Sequence, residues 1–180
     1  MKQLNEEYVG IANNILNQLQ RKTDLIGAEL GVRQGDLSET FLTINDSITM
    51  YSVDYWGSHD KISEFHDHVV NYEITKTKLE PFEQRSIIKN KLTSDAVLDF
   101  VDNFFDFVYI DATHTYEAVC EDIQNWAKKI KMDGVICGHD YCESWPGVMT
   151  AVQKNVTDMS KLKLFPCNVW AIDVIYIRNK

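Results

Sequence analysis

With 180 residues, 44% of them hydrophobic and 25% charged, the chain is long enough to bury one core without disulfide or metal staples. Asp and Glu number 27 against 18 Lys and Arg, and the resulting formal charge of −9 argues against a broad nucleic-acid footprint, which needs clustered cations. No run is long enough to span a bilayer, the opening MKQLNEEYVGIANNILNQLQRK lacks the apolar core of a signal peptide, and four cysteines do not make a disulfide scaffold, so the cytoplasm is the expected compartment.

In chain order, the apolar spacing alternates between helix and strand. Within residues 6–20, Val9, Ile11, Ala12, Ile15, Leu16 and Leu19 recur mostly three or four apart, an amphipathic opening helix. Residues 1–24 are accordingly expected to pack against a single domain formed by residues 25–180. The apolar run 25–30 reads as a strand closing at Gly31, and Asp36 with Glu39 has the spacing of a capping box ahead of a helix through Ile44. Residues 48–53 form the second strand, with Asp54 at its end, followed by a polar helical stretch over about 59–77.

Residues 85–89 are a short β-rich run, and 93–101 a helix opened by a Thr or Ser cap. Residues 106–110 are the plainest buried strand, and 116–130 carry helical periodicity through Val119, Ile123, Trp126 and Ile130. Residues 134–138 are the next strand, and Pro146 suits the first turn of a helix continuing over 148–156. Residues 162–165 and 169–177 read as two strands joined by a Pro-Cys-Asn turn. This alternation predicts an α/β, Rossmann-like doubly wound sheet, mostly parallel, in which a C-terminal hairpin places one antiparallel strand.

Such sheets bind ligands outside the carboxyl ends of their strands. The positions so placed are residues 29–35, Asp54, Ser94-Asp95, residues 111–114 and His139-Asp140. In Glu29-Leu-Gly31-Val-Arg33-Gln-Gly35, glycine lets the backbone turn sharply and approach a ligand. Asp54 follows Gly35 by 19 residues, about where an acid would bond a ribose diol; a plain strand–helix turn with an unrelated aspartate is the alternative. A dinucleotide loop carries a middle glycine against the pyrophosphate, but Val32-Arg33-Gln34 fill that region here. A Glu29 carboxylate would repel a pyrophosphate, yet suits the amino-acid end of a sulfonium ligand. The pattern favours S-adenosylmethionine over NAD.

The segments AELGVRQG, YSVDYW, FDFVYIDATHTYEAV and DGVICGHDY, with PGVMTAV downstream, resemble the class I S-adenosylmethionine-dependent methyltransferases. The resemblance is strongest to small methyltransferase-domain proteins related to macrocin-type sugar O-methyltransferases and to cephalosporin-hydroxylase-like proteins. It covers about residues 25–178 and implies a seven-stranded sheet with a final antiparallel strand. By position it implies that Glu29, Gly31 and Gly35 line the methionine end of the cofactor, Asp54 the ribose and Ser94-Asp95 the adenine. Arg33, Tyr55 and Asp111 complete that cofactor-binding set.

In the macrocin-like relatives, the Asp of a D-x-x-H motif and acids after the next strand hold a magnesium-type ion, and the His is the proposed general base. Carried over, Asp111 and His114 are the catalytic pair, and Asp111, His139 and Asp140 the metal ligands. A hard cation seeks carboxylate oxygens and lowers the pKa of a coordinated hydroxyl, and an imidazole titrating near neutrality accepts the proton. Two departures stand out. Where those relatives tend to carry consecutive acids, this chain has His139-Asp140, and imidazole shifts the preference toward manganese, iron or zinc, or toward no metal. Asp133-Gly134 replaces the usual Gly-Gly before the fifth strand, a change confined to a turn.

Other signals carry less. Cys137-Gly-His139-Asp-Tyr-Cys142 has knuckle-like spacing without a second ligand pair, and Cys137 falls in a strand, so no structural zinc is expected. Tyr55, Trp56, Tyr141 and Trp145 follow strand ends, as a substrate rim or as packing groups. His59, His66 and His68 read as part of a solvated face, since positions two apart do not share one side of a helix. The sequence thus predicts an S-adenosylmethionine-dependent O-methyltransferase for a hydroxyl of a sugar, glycan or other small metabolite. The alternatives are an NAD-dependent oxidoreductase or epimerase, and a hydroxylase-like or binding-only protein on the same scaffold. With no inserted lid, the site is expected to be open, either closed by a second copy in a homo-oligomer or facing a large acceptor.

Overall fold

The computed structural model describes residues 4–20, 23–57 and 68–178. Helix α1 (Glu6–Gln18) starts where the Asn5 side chain accepts a hydrogen bond from the Glu7 amide, and it buries Ile11, Ala12 and Ile15 of the expected stripe. Strand β1 (Ile26–Leu30) is buried along almost its whole length, as an interior parallel strand must be. Helix α2 (Asp36–Ile44) begins otherwise than its capping-box spacing suggests. Gly35, at φ 78°, holds the cap position, and no side chain bonds the first turn. Asp36 instead pairs with Lys78 at 2.6 Å. Strand β2 (Thr49–Asp54) ends on Asp54. Helix α3 (His68–Leu79) is the described part of the polar helical stretch; the remainder, with His59 and His66, lies outside the described residues.

Strand β3 (Ser86–Asn90) leads into a helix much shorter than expected, because α4 (Thr93–Ala96) gives way to a tighter turn at Val97–Asp99. Neither Thr93 nor Ser94 caps it: Leu92 holds that position, and Thr93 bonds the Asp122 side chain. Strand β4 (Phe105–Ile110) is buried at every position. Helix α5 (Tyr116–Trp126) is capped by Thr115, and Ile130, read above as the end of this helix, opens strand β5 (Ile130–Gly138). Ile130 pairs with Phe105 and is fully buried, so it carries the same apolar signal in either element. Helix α6 (Pro146–Asn155) has its proline in the first turn, and β6 (Lys163–Phe165) and β7 (Val169–Asp173) form the expected hairpin.

The described strands make one seven-stranded sheet in the order β3-β2-β1-β4-β5-β7-β6, parallel except for β7. The doubly wound α/β reading holds, its single antiparallel strand included. One core, around Phe41, Met50 and Phe107, lies under α1, α2 and the end of α3; the other, around Val108, Ile123, Trp126 and Val152, lies under α5 and α6. The chain steps outward from β1 to β3 and then returns to β4 on the other side of β1. That reversal leaves a crevice between the loops leaving β1 and β4. At the opposite end of these strands, Asp106 Oδ2 accepts from the Ile26 amide at 2.7 Å and from Lys131 Nζ at 2.9 Å, fixing where β1 begins. No described helix is long and apolar enough to cross a membrane.

Candidate functional site

A cleft of about 770 Å³ opens at the carboxyl ends of the strands, within the range of small-molecule and cofactor sites. Its floor is backbone. Gly31, at φ 84°, lies so close to β4 that a Cβ there would sit 2.0 Å from the Asp111 carbonyl oxygen. The Asp111 amide donates to the Leu30 carbonyl at 2.7 Å and the His139 amide to the Ile110 carbonyl at 3.1 Å, so the ends of β1, β4 and β5 are drawn into one group.

The first wall is the loop after β1. Asp54 Oδ2 accepts from the Val32 amide at 2.8 Å and the Arg33 amide at 2.7 Å, which shapes the loop and leaves Oδ1 out of both bonds. The Arg33 carbonyl accepts from the Trp56 indole at 2.9 Å and the Thr75 hydroxyl at 3.1 Å. Trp56 is buried against this loop and also lines the cleft, as Tyr55 does.

Glu29 lies at the bottom, 4% exposed, and accepts a hydrogen bond from the Ser38 hydroxyl, which is itself 2.7 Å from Ser52 Oγ. Burial pushes its pKa up to about 8, the Ser38 bond opposes the rise, and Asp111 and Asp54 add to it. The sequence reading treats Glu29 as a carboxylate; buried as it is here, it is a neutral acid at pH 7, because an unpaired buried charge costs more than holding the proton. This makes stability fall with pH. The folded pKa lies above the unfolded value of 4.5, so the contribution is complete below pH 4.5 and is lost progressively up to about pH 8. Glu29→Gln is therefore expected to melt with the wild type at pH 5 and above it at pH 8, by a margin on the order of a few kcal/mol. Parallel melting curves at the two pH values would refute the assignment.

The second constellation is the one the sequence places at the ends of β4 and β5. Asp111, His139 and Asp140 offer one ligand atom each within 4.8 Å of one another, the group of metal-ligating type found among the described residues. His114 Nε2 stands 3.3 Å from Asp111 Oδ1 and 3.0 Å from Asp140 Oδ2, and His139 Nδ1 lies 3.1 Å from Asp140 Oδ1. The hydrogen bond to Asp111 raises the His114 pKa, with burial opposing. His114 does not cap α5, since Thr115 does, accepting from the Ala118 amide at 3.3 Å. Its ring packs against Trp145 at 4.6 Å between centroids. Cys137 takes no part: its thiol is buried and donates to the Val108 carbonyl.

Of the residues named from sequence, Glu29, Gly31, Arg33, Asp54, Tyr55, Ser94, Asp111, His114 and His139 line this cleft. Gly35 and Asp140 stand just outside its lining, Gly35 as the α2 cap and Asp140 behind His114. Asp95 is exposed and is not part of the cleft lining. Sequence reasoning missed Tyr8 and Glu7, which bring α1 into the cleft, and Thr93 and Asp122 at its far end. The Tyr8 pKa is raised by burial and then by Asp36 and Glu29.

Comparison with known proteins gives the arrangement a context. A family model described as a methyltransferase domain matches residues 28–141, well over half of the chain. An uncharacterized protein of Acanthamoeba polyphaga mimivirus is 36% identical over 72 residues, 39% of this chain and 33% of that protein, so the match spans about a third of the relative. CalS11, a TDP-rhamnose 3′-O-methyltransferase of calicheamicin biosynthesis, superposes with a TM-score of 0.66 at 14% identity, covering 93% of this chain and 79% of that one. A candidate caffeoyl-CoA O-methyltransferase from Staphylococcus aureus gives 0.65 at 14% identity, with 96% and 84% covered. At such identities the structural likeness establishes the fold alone.

Proposed function

Because the chain belongs to the methyltransferase-domain family of class I S-adenosylmethionine-dependent methyltransferases, we propose that it methylates a hydroxyl of a sugar, glycan or other small metabolite with the help of a divalent cation. The observation that carries the reading is the meeting of Asp111, His139, Asp140 and His114 at one end of a cleft whose other walls suit the cofactor.

The donor set fits both groups. Glu29 faces the place of the cofactor's ammonium, Asp54 Oδ1 the ribose diol, and two carboxylates with an imidazole suit a divalent ion of the magnesium-to-manganese range. S-adenosylmethionine supplies an electrophilic methyl group on a sulfonium, and a cation lowers the pKa of a bound hydroxyl. The protein's own part is alignment and proton removal. Asp111, His139 and Asp140 hold the acceptor hydroxyl beside His114, and the His114 imidazole takes its proton as the oxygen is methylated and the sulfonium leaves as the thioether. Tyr8 and Glu7 of α1 complete the lining of the cleft.

Calorimetric titration tests the reading. S-adenosylhomocysteine is expected to bind, and magnesium or manganese to tighten that binding in the wild type but not in Asp111→Asn. Binding of NAD alone, or of neither nucleotide, would overturn it. Cofactor binding with no methyl transfer to any hydroxyl acceptor would favour a non-methylating protein on this scaffold.

A further inference from the structure

Among the described residues, no ion pair accounts for the buried acid Asp122. It is 4% exposed, lies on α5 along the buried stripe of Val119, Ile123 and Trp126, and lines the cleft beside Leu92, Thr93 and Ser94. Its hydrogen-bond partner is neutral, Thr93, and among the described residues no Lys or Arg pairs with it. Burial pushes its pKa up to about 6, so it is mostly ionised at neutral pH. A carboxylate kept in a wall with one neutral donor has lost hydration that further donors from a ligand would restore.

Its position says which donor. The cleft runs from Glu29 and Gly31 at the end of β1, past Asp54 at the end of β2, to the segment after β3 that faces α5. With the amino-acid part of the cofactor at Glu29 and the ribose at Asp54, the base falls between residues 92–94 and α5.

We propose that Asp122 reads the adenine ring by accepting a hydrogen bond from its exocyclic amine, while Thr93 holds the carboxylate in place. The inference rests on the cofactor reading above, and it gives Asp122 the part that sequence position assigns to Asp95. Adenine offers an N–H donor at that edge, whereas hypoxanthine offers a carbonyl oxygen there. The carboxylate attracts the first and repels the second.

The test compares S-adenosylhomocysteine with S-inosylhomocysteine by calorimetry, in the wild type and in Asp122→Asn. The wild type is expected to prefer the adenine ligand by roughly 10- to 100-fold, the worth of one charge-assisted bond gained and one repulsion avoided. In Asp122→Asn, whose amide can donate to the hypoxanthine carbonyl, that preference is expected to shrink by about tenfold or more. The ratio is insensitive to partial unfolding, which lowers both affinities alike. A wild type that binds S-adenosylhomocysteine, with a ratio unchanged in Asp122→Asn, overturns the Asp122 assignment and leaves the cofactor reading intact. A wild type that binds neither ligand overturns both.

Discussion

Gly31→Ala is expected to destabilise the protein by about 3–5 kcal/mol and to abolish S-adenosylhomocysteine binding, an effect in the range reserved for severe overpacking and backbone strain. Two penalties combine at this residue. Its φ of 84° lies where an L side chain costs about 1 kcal/mol or more, and its added Cβ would meet the Asp111 carbonyl at 2.0 Å and the Ala112 Cα at 2.7 Å. Those are backbone atoms, so no rotamer change relieves the clash. The ends of β1 and β4 would have to separate, breaking the bond from the Asp111 amide to the Leu30 carbonyl at 2.7 Å. Gly35→Ala is the control. Its φ is 78°, but the nearest atoms to a new Cβ are side-chain carbons of Thr75 at 3.3 Å and Leu79 at 3.6 Å, which can give way. Its expected cost is about 1 kcal/mol, the conformational term alone. Urea denaturation of both variants decides the matter: equal losses would mean that strand approach is not what Gly31 provides.

The largest catalytic effect is expected at His114. Removing a general base lowers turnover by about 10²- to 10⁴-fold, and His114→Ala should fall in that range with any hydroxyl acceptor the protein methylates. The geometry sets the accompanying signature. His114 touches Asp111 and Asp140 rather than the loop after β1, so cofactor affinity should be nearly unchanged while kcat drops. A parallel loss of S-adenosylhomocysteine affinity, or turnover within a few-fold of wild type, would remove His114 from the chemistry. His114 also packs on Trp145, and a merely structural role would appear as lowered thermal stability without the selective loss of kcat.

Most of this site was legible because a parallel sheet delivers its strand ends to one edge. Glu29, Asp54, Asp111 and His139 each follow an apolar run, and the rule that ligands bind beyond those ends needs no knowledge of side-chain packing. Tyr8 was hidden for the converse reason: α1 precedes the first strand, and only the packing of Ile11 and Ile15 onto the core brings it to the cleft. Asp122 did leave a trace. It stands three residues after Val119 and four before Trp126, a polar residue on an otherwise apolar stripe, and such a position is informative when the neighbours are buried. The neutral state of Glu29 was beyond sequence, since it follows from burial and from two nearby acids that lie far off along the chain. The α2 cap misled because Asp36 had a better partner in Lys78, 42 residues away.

The way β1 is held has a consequence for hydrogen exchange. Its first amide ends on Asp106, the amide just beyond it ends on Val53, and parallel neighbours flank it on both sides. Amides so placed exchange with solvent only when the whole domain opens, and a ligand can slow them no further than it stabilises the fold as a whole. The amides of Val32 and Arg33, bonded to a single carboxylate oxygen of Asp54, and those of residues 92–96 around a four-residue helix, open on their own. Deuterium uptake across these three segments therefore separates a molecule lodged in the cleft, which quiets the walls first, from one that merely tightens the protein everywhere.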